Sequence, residues 1–423
     1  MHRRRIWVSL DGLPLRVRTS FPGFLWIGLL TATAAAQTPP DSRLKQWQSL
    51  REKKAEQLAP PVRTGLENFL YNFREQRVLE KFAAGWHHFH AKVGGLRTGS
   101  GFALGSEYRR ERLVNGLLDI RAGAAVSKRH YEKAEFAIGL PRLANEHVFL
   151  EFTATYRNFP QEDYFGLGPR SRRQDRTNFR LEDTTYLGTL GARWWRKRML
   201  AGLRGGIIAA NAGPGTDPRF ASTEKVFNAA NTPALELQPD YYQFGAFTGF
   251  DYRDEPGNPR SGGNYVFSWD TYGDRNQSRY SFRRYSAELQ QYLPLFNRRR
   301  VFAFRAKTSL TDTSPGQSLP FYMQETLGGS EDMRGFREYR FRDKNLMVYN
   351  LEYRWEVFSG MDMALFGDAG KVFTRRSDFD LGRLEGCYGV GFRFNQAKAV
   401  FLRIDIGRSR EGMRYFFKFG HVF

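Results

Sequence analysis

The chain has a single cysteine, Cys387, and no apolar run that approaches the roughly 18 to 20 residues a membrane-spanning helix requires. One thiol excludes an intrachain disulfide and any cysteine-based metal site, and with them a stapled secreted scaffold. The absence of a long apolar run excludes a bundle of transmembrane helices. Acidic residues are outnumbered, 44 Asp and Glu against 65 Lys and Arg, for a formal charge of +21. Such a surplus favours anionic partners. What the chain has in quantity is Phe (37), Tyr (20) and Gly (42), while its mean hydropathy is negative.

Residues 1–36 read as a secretory leader. Arg3, Arg4, Arg5, Arg16 and Arg18 form a basic region, residues 21–30 an apolar core, and Ala34-Ala35-Ala36 a small-residue cleavage site. Gln37 is then expected to begin the mature chain. Removing that leader takes away five Arg and one Asp and leaves +17. No cysteine follows the cleavage site, which argues against a lipoprotein. A secreted basic protein points to lipid phosphates or acidic polymers as partners, and nucleic acid is not expected.

Residues 37–84 form a second expected unit, a periplasmic helical segment. Leu44, Trp47 and Leu50, then Leu66, Phe69, Leu70 and Phe73, recur at three- and four-residue spacings, with Pro60-Pro61 splitting the pattern. Such a segment either rests on a barrel rim or membrane surface, or plugs a lumen.

From residue 85 to 423 the pattern becomes segments of about ten residues with alternating polarity, punctuated by Gly, Pro, Asn and Asp. Val400, Leu402, Ile404 and Ile406 fall on one face and Arg403 and Asp405 on the other. Phe302, Phe304 and Ala306 stand against Arg305 and Lys307; Leu351, Tyr353 and Trp355 stand against Glu352 and Arg354. A strand with hydrocarbon on one side and water on the other needs that alternation. Sixteen candidate strands begin near Trp86, Gly101, Leu117, Tyr131, His147, Phe179, Met199, Tyr241, Tyr265, Tyr280, Val301, Asn345, Met361, Leu384, Lys398 and Met413. The expected fold is all-β: a sixteen-stranded antiparallel transmembrane β-barrel in the bacterial outer membrane, with a short N-terminal helical segment. The longest gaps, 159–178, 212–240 and 314–344, each follow an odd-numbered strand, as outward-facing loops should. The chain closes on an alternating aromatic row, Tyr415, Phe417, Phe419, His421 and Phe423, which reads as a C-terminal barrel signal for the assembly machinery.

In their strands Glu352 and Asp368 take the inward parity, so both carboxylates are expected to face the lumen. A guanidinium with five donors can bridge two carboxylates, and Arg334 in the longest outer loop is expected to contact Asp368, Glu352 or both. Gly335 would permit the tight loop tip and Phe336 would pack on the inner wall.

The ordered motifs Leu327-Gly328-Gly329-Ser330, Met333-Arg334-Gly335-Phe336, Asn350-Leu351-Glu352-Tyr353-Arg354 and Phe366-Gly367-Asp368-Ala369-Gly370-Lys371-Val372 resemble those of the bacterial surface antigen superfamily of sixteen-stranded barrels, the BamA/TamA group that includes two-partner secretion translocators. Further matches are Asp163-Tyr164-Phe165-Gly166-Leu167-Gly168 in the third outer loop and Asp251-Tyr252-Arg253-Asp254 with Pro259 and Gly262 at a periplasmic turn. The resemblance implies that the Arg334-Gly335-Phe336 tip folds back into the lumen. Family members that assemble barrels or export proteins carry polypeptide-transport-associated repeats, for which residues 37–84 have no room.

The resemblance implies a role in outer-membrane biogenesis or polypeptide/lipid transfer, through a barrel whose first and last strands part with few hydrogen bonds between them. The alternative is a passive outer-membrane pore or lipid-binding structural barrel without insertase activity. Expected partners are outer-membrane lipids and lipopolysaccharide, barrel-assembly machinery for the protein's own insertion, and a polypeptide or lipid client. An enzyme is not expected, nor a cofactor or metal: of His87, His88 and His90, alternation lets only His88 and His90 share a face. The basic runs 170–176, 193–198 and 298–300 read equally as a solvated rim or as phosphate sites.

Overall fold

The computed structural model describes residues 47–53, 65, 87–97, 99–229, 232–295, 298–396 and 399–419. Residues 47–53 are helical. The expected leader at 1–36 and the rest of the expected helical segment at 37–84, residue 65 apart, lie outside the described residues, as do His421 and Phe423.

Eighteen strands follow in the described chain: β1 (Phe89–Gly94), β2 (Ala103–Arg112), β3 (Leu118–Ser127), β4 (Glu132–Leu143), β5 (Val148–Tyr164), β6 (Thr177–Trp194), β7 (Met199–Pro214), β8 (Tyr241–Asp251), β9 (Gly262–Asp274), β10 (Phe282–Leu295), β11 (Arg300–Thr313), β12 (Glu325–Leu327), β13 (Phe341–Asp343), β14 (Asn345–Phe358), β15 (Met361–Phe373), β16 (Glu385–Gln396), β17 (Ala399–Ser409) and β18 (Gly412–Phe419). Sixteen of them form one antiparallel sheet in chain order; β12 and β13 pair with each other inside the long connection between β11 and β14. The sheet is the wall of the barrel. A Cβ on Gly94 of β1 would lie 3.4 Å from the Phe419 ring of β18, so the two edge strands meet there. Among the described residues no ladder pairs β1 with β18.

Alternation explains why these segments are strands. Along β14, Leu351 is 51% exposed while Glu352 is fully buried, and along β18 Met413, Tyr415, Phe417 and Phe419 are exposed while Phe416 is buried. Apolar side chains turned outward and charged ones turned inward are the inverse of a soluble β-protein. A water-soluble sheet would put Leu351 inside. Strands β5, β6 and β7 run 17, 18 and 16 residues, well past the roughly 9 to 11 that cross a bilayer, so their outer ends stand above it. For the same reason Asp163 and Tyr164 lie in β5 rather than in the third outer loop.

One face assignment changes. Val400 does not share the outward face of Leu402, Ile404 and Ile406: Leu402 pairs with Phe394, but Val400 pairs with Asn395, so the strand carries one extra residue, Phe401, between the two pairs. This bulge flips the strand by one position and buries Val400 to 5% exposure on the inner side.

The register also aligns functional side chains. Arg305, Asn350, Asp368, Cys387 and Ser409 occupy one row across β11, β14, β15, β16 and β17. The next inward row is Ala303, Glu352, Phe366, Gly389, Gly407 and, on β18, Arg414.

Candidate functional site

The sixth outer loop, residues 314–344, enters the barrel and brings Arg334 to these two rows. Its guanidinium is fully buried and bidentate on Asp368, with Nε to Oδ2 at 2.9 Å and Nη2 to Oδ1 at 2.6 Å, while Nη1 donates to Glu352. The Arg334 backbone N–H donates to the same Asp368 Oδ2 at 3.0 Å, so both main chain and side chain fix the tip. The guanidinium carbon lies 3.6 Å from the centre of the Phe366 ring. Ion pairs in so dry a place hold only when their remaining hydrogen-bonding capacity is filled. Asn350 Nδ2 supplies one such bond to Asp368 at 2.9 Å, and Arg354 and Arg393 take Glu352 at 2.6 and 2.9 Å.

From there the pairs continue across the wall. Arg393 bonds Asp405 at 2.7 Å, and Arg403 stands 2.9 Å from Asp405 and donates to the Ser330 carbonyl at 2.9 Å. On the other flank Arg305 reaches Glu288 at 2.8 Å and Asp332 at 3.1 Å. Sequence reading placed Arg334, Glu352 and Asp368; it missed Arg354, Arg393, Asp405, Arg305 and Asp332 as one network. Their signal was available in the inward parity of each charged residue, and cross-strand register was what it lacked.

The loop tip touches the wall through glycines. A Cβ on Gly335 would fall 2.4 Å from Cys387 Cβ, and one on Gly407 would fall 2.1 Å from the Arg334 carbonyl oxygen. Gly335 is therefore needed for close approach, not for a left-handed turn. Its N–H donates to Cys387 Sγ at 3.1 Å, and its carbonyl accepts from Ser409 at 2.7 Å. Phe336 sits in an apolar cluster with Leu327, Met333, Phe341, Leu346, Val348 and Val372.

The flanks of the same loop are tied to its neighbours at the outer mouth. Asp163 accepts from Arg176 at 2.8 Å and from Arg337 at 2.7 Å, and Gly168 N–H donates to the Arg342 carbonyl at 2.7 Å. Tyr164 packs edge-on to Phe321, with ring centres 5.3 Å apart. Arg340, 2% exposed, bonds Ser171 Oγ and carbonyl at 3.0 and 2.7 Å and Glu411 at 2.6 Å. The 163–168 motif thus holds the sixth loop. At the periplasmic turn, Asp254 accepts from the N–H groups of Glu255, Arg260 and Ser261 at 2.9 to 3.1 Å, and Gly262, at φ +94°, passes beside the Tyr252 carbonyl. That motif closes a turn and does not reach the lumen site. Tyr415, Phe417 and Phe419 point outward from β18, and Phe423 lies outside the described residues.

The family profile described as the Omp85 superfamily domain matches residues 119–420. Among solved structures the chain is similar to BamA from Haemophilus ducreyi lacking POTRA domains 1–3, at 12% identity and TM-score 0.58, over 83% of this chain and 77% of that one. It also matches CdiB from Escherichia coli at 14% identity and TM-score 0.49, over 79% of this chain and 62% of that one. CdiB from Acinetobacter baumannii matches at 11% identity and TM-score 0.46, over 79% and 60%. At these identities the BamA likeness concerns the fold. No curated protein is significantly similar to the chain in sequence.

Proposed function

The chain belongs to the Omp85 superfamily of outer-membrane barrels, and from that premise we propose that it serves outer-membrane biogenesis or the transfer of a polypeptide or lipid, with the seam between β1 and β18 as the route. The observation that carries this reading is the occupied lumen. A diffusion pore gains nothing from a loop held inside it by a buried arginine on two acids. A barrel that must stay sealed while its wall opens sideways needs such a plug: the tip of the loop is anchored on β14 to β17, the strands next to the seam. When the lock holds, β14 to β17 move as a unit and strain concentrates at the edge strands. β1, at six residues, is the shorter of those edges. Outer-membrane lipids and lipopolysaccharide surround the wall in this reading, and the assembly machinery that reads the β18 aromatics inserts it.

Deleting the gene and profiling outer-membrane proteins and lipids tests the proposal. Depletion of particular barrels supports assembly or transfer of polypeptide, and altered lipid asymmetry supports lipid transfer. An unchanged profile, together with steady salt-dependent conductance of the purified barrel in a planar bilayer, identifies a passive pore.

A further inference from the structure

The outer mouth is unevenly charged. On the side of β16 to β18, a cleft of about 860 Å³ is bordered by Arg170, Arg172 and Arg173 of the third loop, Arg340 of the sixth, and Arg410 and Glu411 of the β17–β18 turn, with Glu385 beside them. Two of these cations are spent on acids in the cleft, Arg340 on Glu411 and Arg410 on Glu385 at 2.7 Å. Arg172 pairs with Asp175 at 3.0 Å. Arg170 and Arg173 have no carboxylate partner among the described residues, and Arg173 meets only the Glu411 carbonyl, at 3.0 Å. Below the cleft, Arg414 in the inward row of β18 has a buried Nε without a hydrogen-bond partner among the described residues, and its charged neighbours are Arg173, Arg337 and Arg176 beside Glu411. A second cleft of about 650 Å³ shares Pro169, Arg170 and Glu385 with the first and adds Lys371, Arg375 and Arg383 together with Asp378 and Asp380, so it is of mixed charge.

Cations crowded together, with donors left over, are a site short of its anion. The frame is rigid, because buried Arg340 ties the third loop to the β17–β18 turn. Its height identifies the anion's source. Tyr388, 64% exposed on the outward face, is three residues from Glu385, and Tyr415, 60% exposed, is four from Glu411. At about 3.3 Å per residue along strands tilted by roughly 40°, the cleft floor is about 8 to 10 Å above these rings. Exposed aromatics of this kind sit at headgroup level, and phosphates of the outer leaflet lie just beyond them. The connection is also short here, since β17 and β18 are joined by the two-residue turn Arg410-Glu411 whereas the sixth loop spans 31 residues.

We propose that the cleft bordered by Arg170, Arg172, Arg173 and Arg410 at the outer mouth binds the phosphate groups of an outer-leaflet glycolipid, drawing it over the short β17–β18 turn beside the seam. The inference rests on the orientation used in the functional reading, not on the transfer activity. Arginine forks match phosphate oxygens in pairs, so several guanidiniums converge on one group at little geometric cost.

The full chain in detergent is titrated by calorimetry with lipopolysaccharide, with dephosphorylated lipopolysaccharide and with inorganic phosphate. Arg170→Gln/Arg173→Gln leaves the Arg340 frame in place and is expected to weaken lipopolysaccharide binding about tenfold, as is removal of the lipid's phosphates. Equal affinity for the dephosphorylated lipid, or an unchanged double variant, overturns the proposal. Inorganic phosphate binding as tightly as the lipid overturns the glycolipid as its source. Ser278→Cys, exposed in the β9–β10 connection outside the cleft of a chain whose native thiol is buried, reports orientation in whole cells with a membrane-impermeant maleimide. Labelling without lipid binding removes this inference and leaves the functional reading standing; protection of the introduced thiol overturns the orientation on which both depend.

Discussion

At the scale of single residues the lumen lock makes sharp demands. Glu352 keeps Arg354 and Arg393 when Arg334 is removed, but Asp368 loses its only cation among the described residues. Arg334→Ala is therefore expected to weaken loop docking by about 3 to 5 kcal/mol, the usual cost of stranding a buried charge. The check is a lower unfolding temperature of the purified barrel together with new single-channel openings. A double variant with Asp368→Asn should cost less than the sum of the single variants, because it removes the stranded carboxylate. Gly407→Ala asks the same question from the wall: its Cβ cannot coexist with the Arg334 carbonyl, so the loop tip must lift although no charge is lost. Circular dichroism is expected to remain that of a β-barrel while protease cuts the sixth loop faster. Glu352 and Asp368 were legible in the sequence because inward parity is a local property, and Arg334 because the Arg334-Gly335-Phe336 run resembles the tip motif of a known family of barrels. The requirement at Gly407 was not, because it depends on which loop lies across that strand.

Among elements, loops hold loops. Arg340→Gln removes the ion pair to Glu411 and weakens the bonds to Ser171, so the third outer loop is expected to become a faster trypsin target at Arg172 and Arg173 in intact cells, while the lock stays closed. The fourth outer loop has its own fastener. Arg219 beside Asp217 holds that carboxyl down to about 2, against an ordinary 3.8. A depressed folded value means that the contribution is complete above 3.8 and is lost as pH falls through about 2. Hydrogen-exchange protection at residues 215–229, corrected for the intrinsic pH dependence of amide exchange, is accordingly expected to be flat from pH 7 to 4 and to fall only as pH drops toward 2. Strand positions were readable because polarity alternates with period two on a two-sided wall: the expected starts at Met199, Tyr241, Asn345 and Met361 coincide with those of the structure. The three-residue β12 and β13 were not, for so short a pair is stabilised by its seat in the lumen and leaves no period to detect. The flip of Val400 escaped for a related reason, since one extra residue at Phe401 changes parity without changing composition.

For the whole molecule, the consequence is a wall of unequal stiffness. The inner network ties β11 to β17 together through one loop, whereas β1 joins the sheet by a six-residue ladder to β2. Conductance across a planar bilayer is expected to be small and brief in the native chain, and to become sustained when residues 331–337 are deleted. Persistently closed channels after that deletion would show that another segment fills the lumen.

Cys387 offers a way to watch this happen without engineering. The chain's one thiol lies directly beneath Gly335 and is sealed by it, so an alkylating reagent can enter only while the tip is withdrawn. The half-time of its modification becomes a stopwatch for each excursion of the plug, read by mass spectrometry on unaltered protein, and any client or lipid that coaxes the plug out should shorten it.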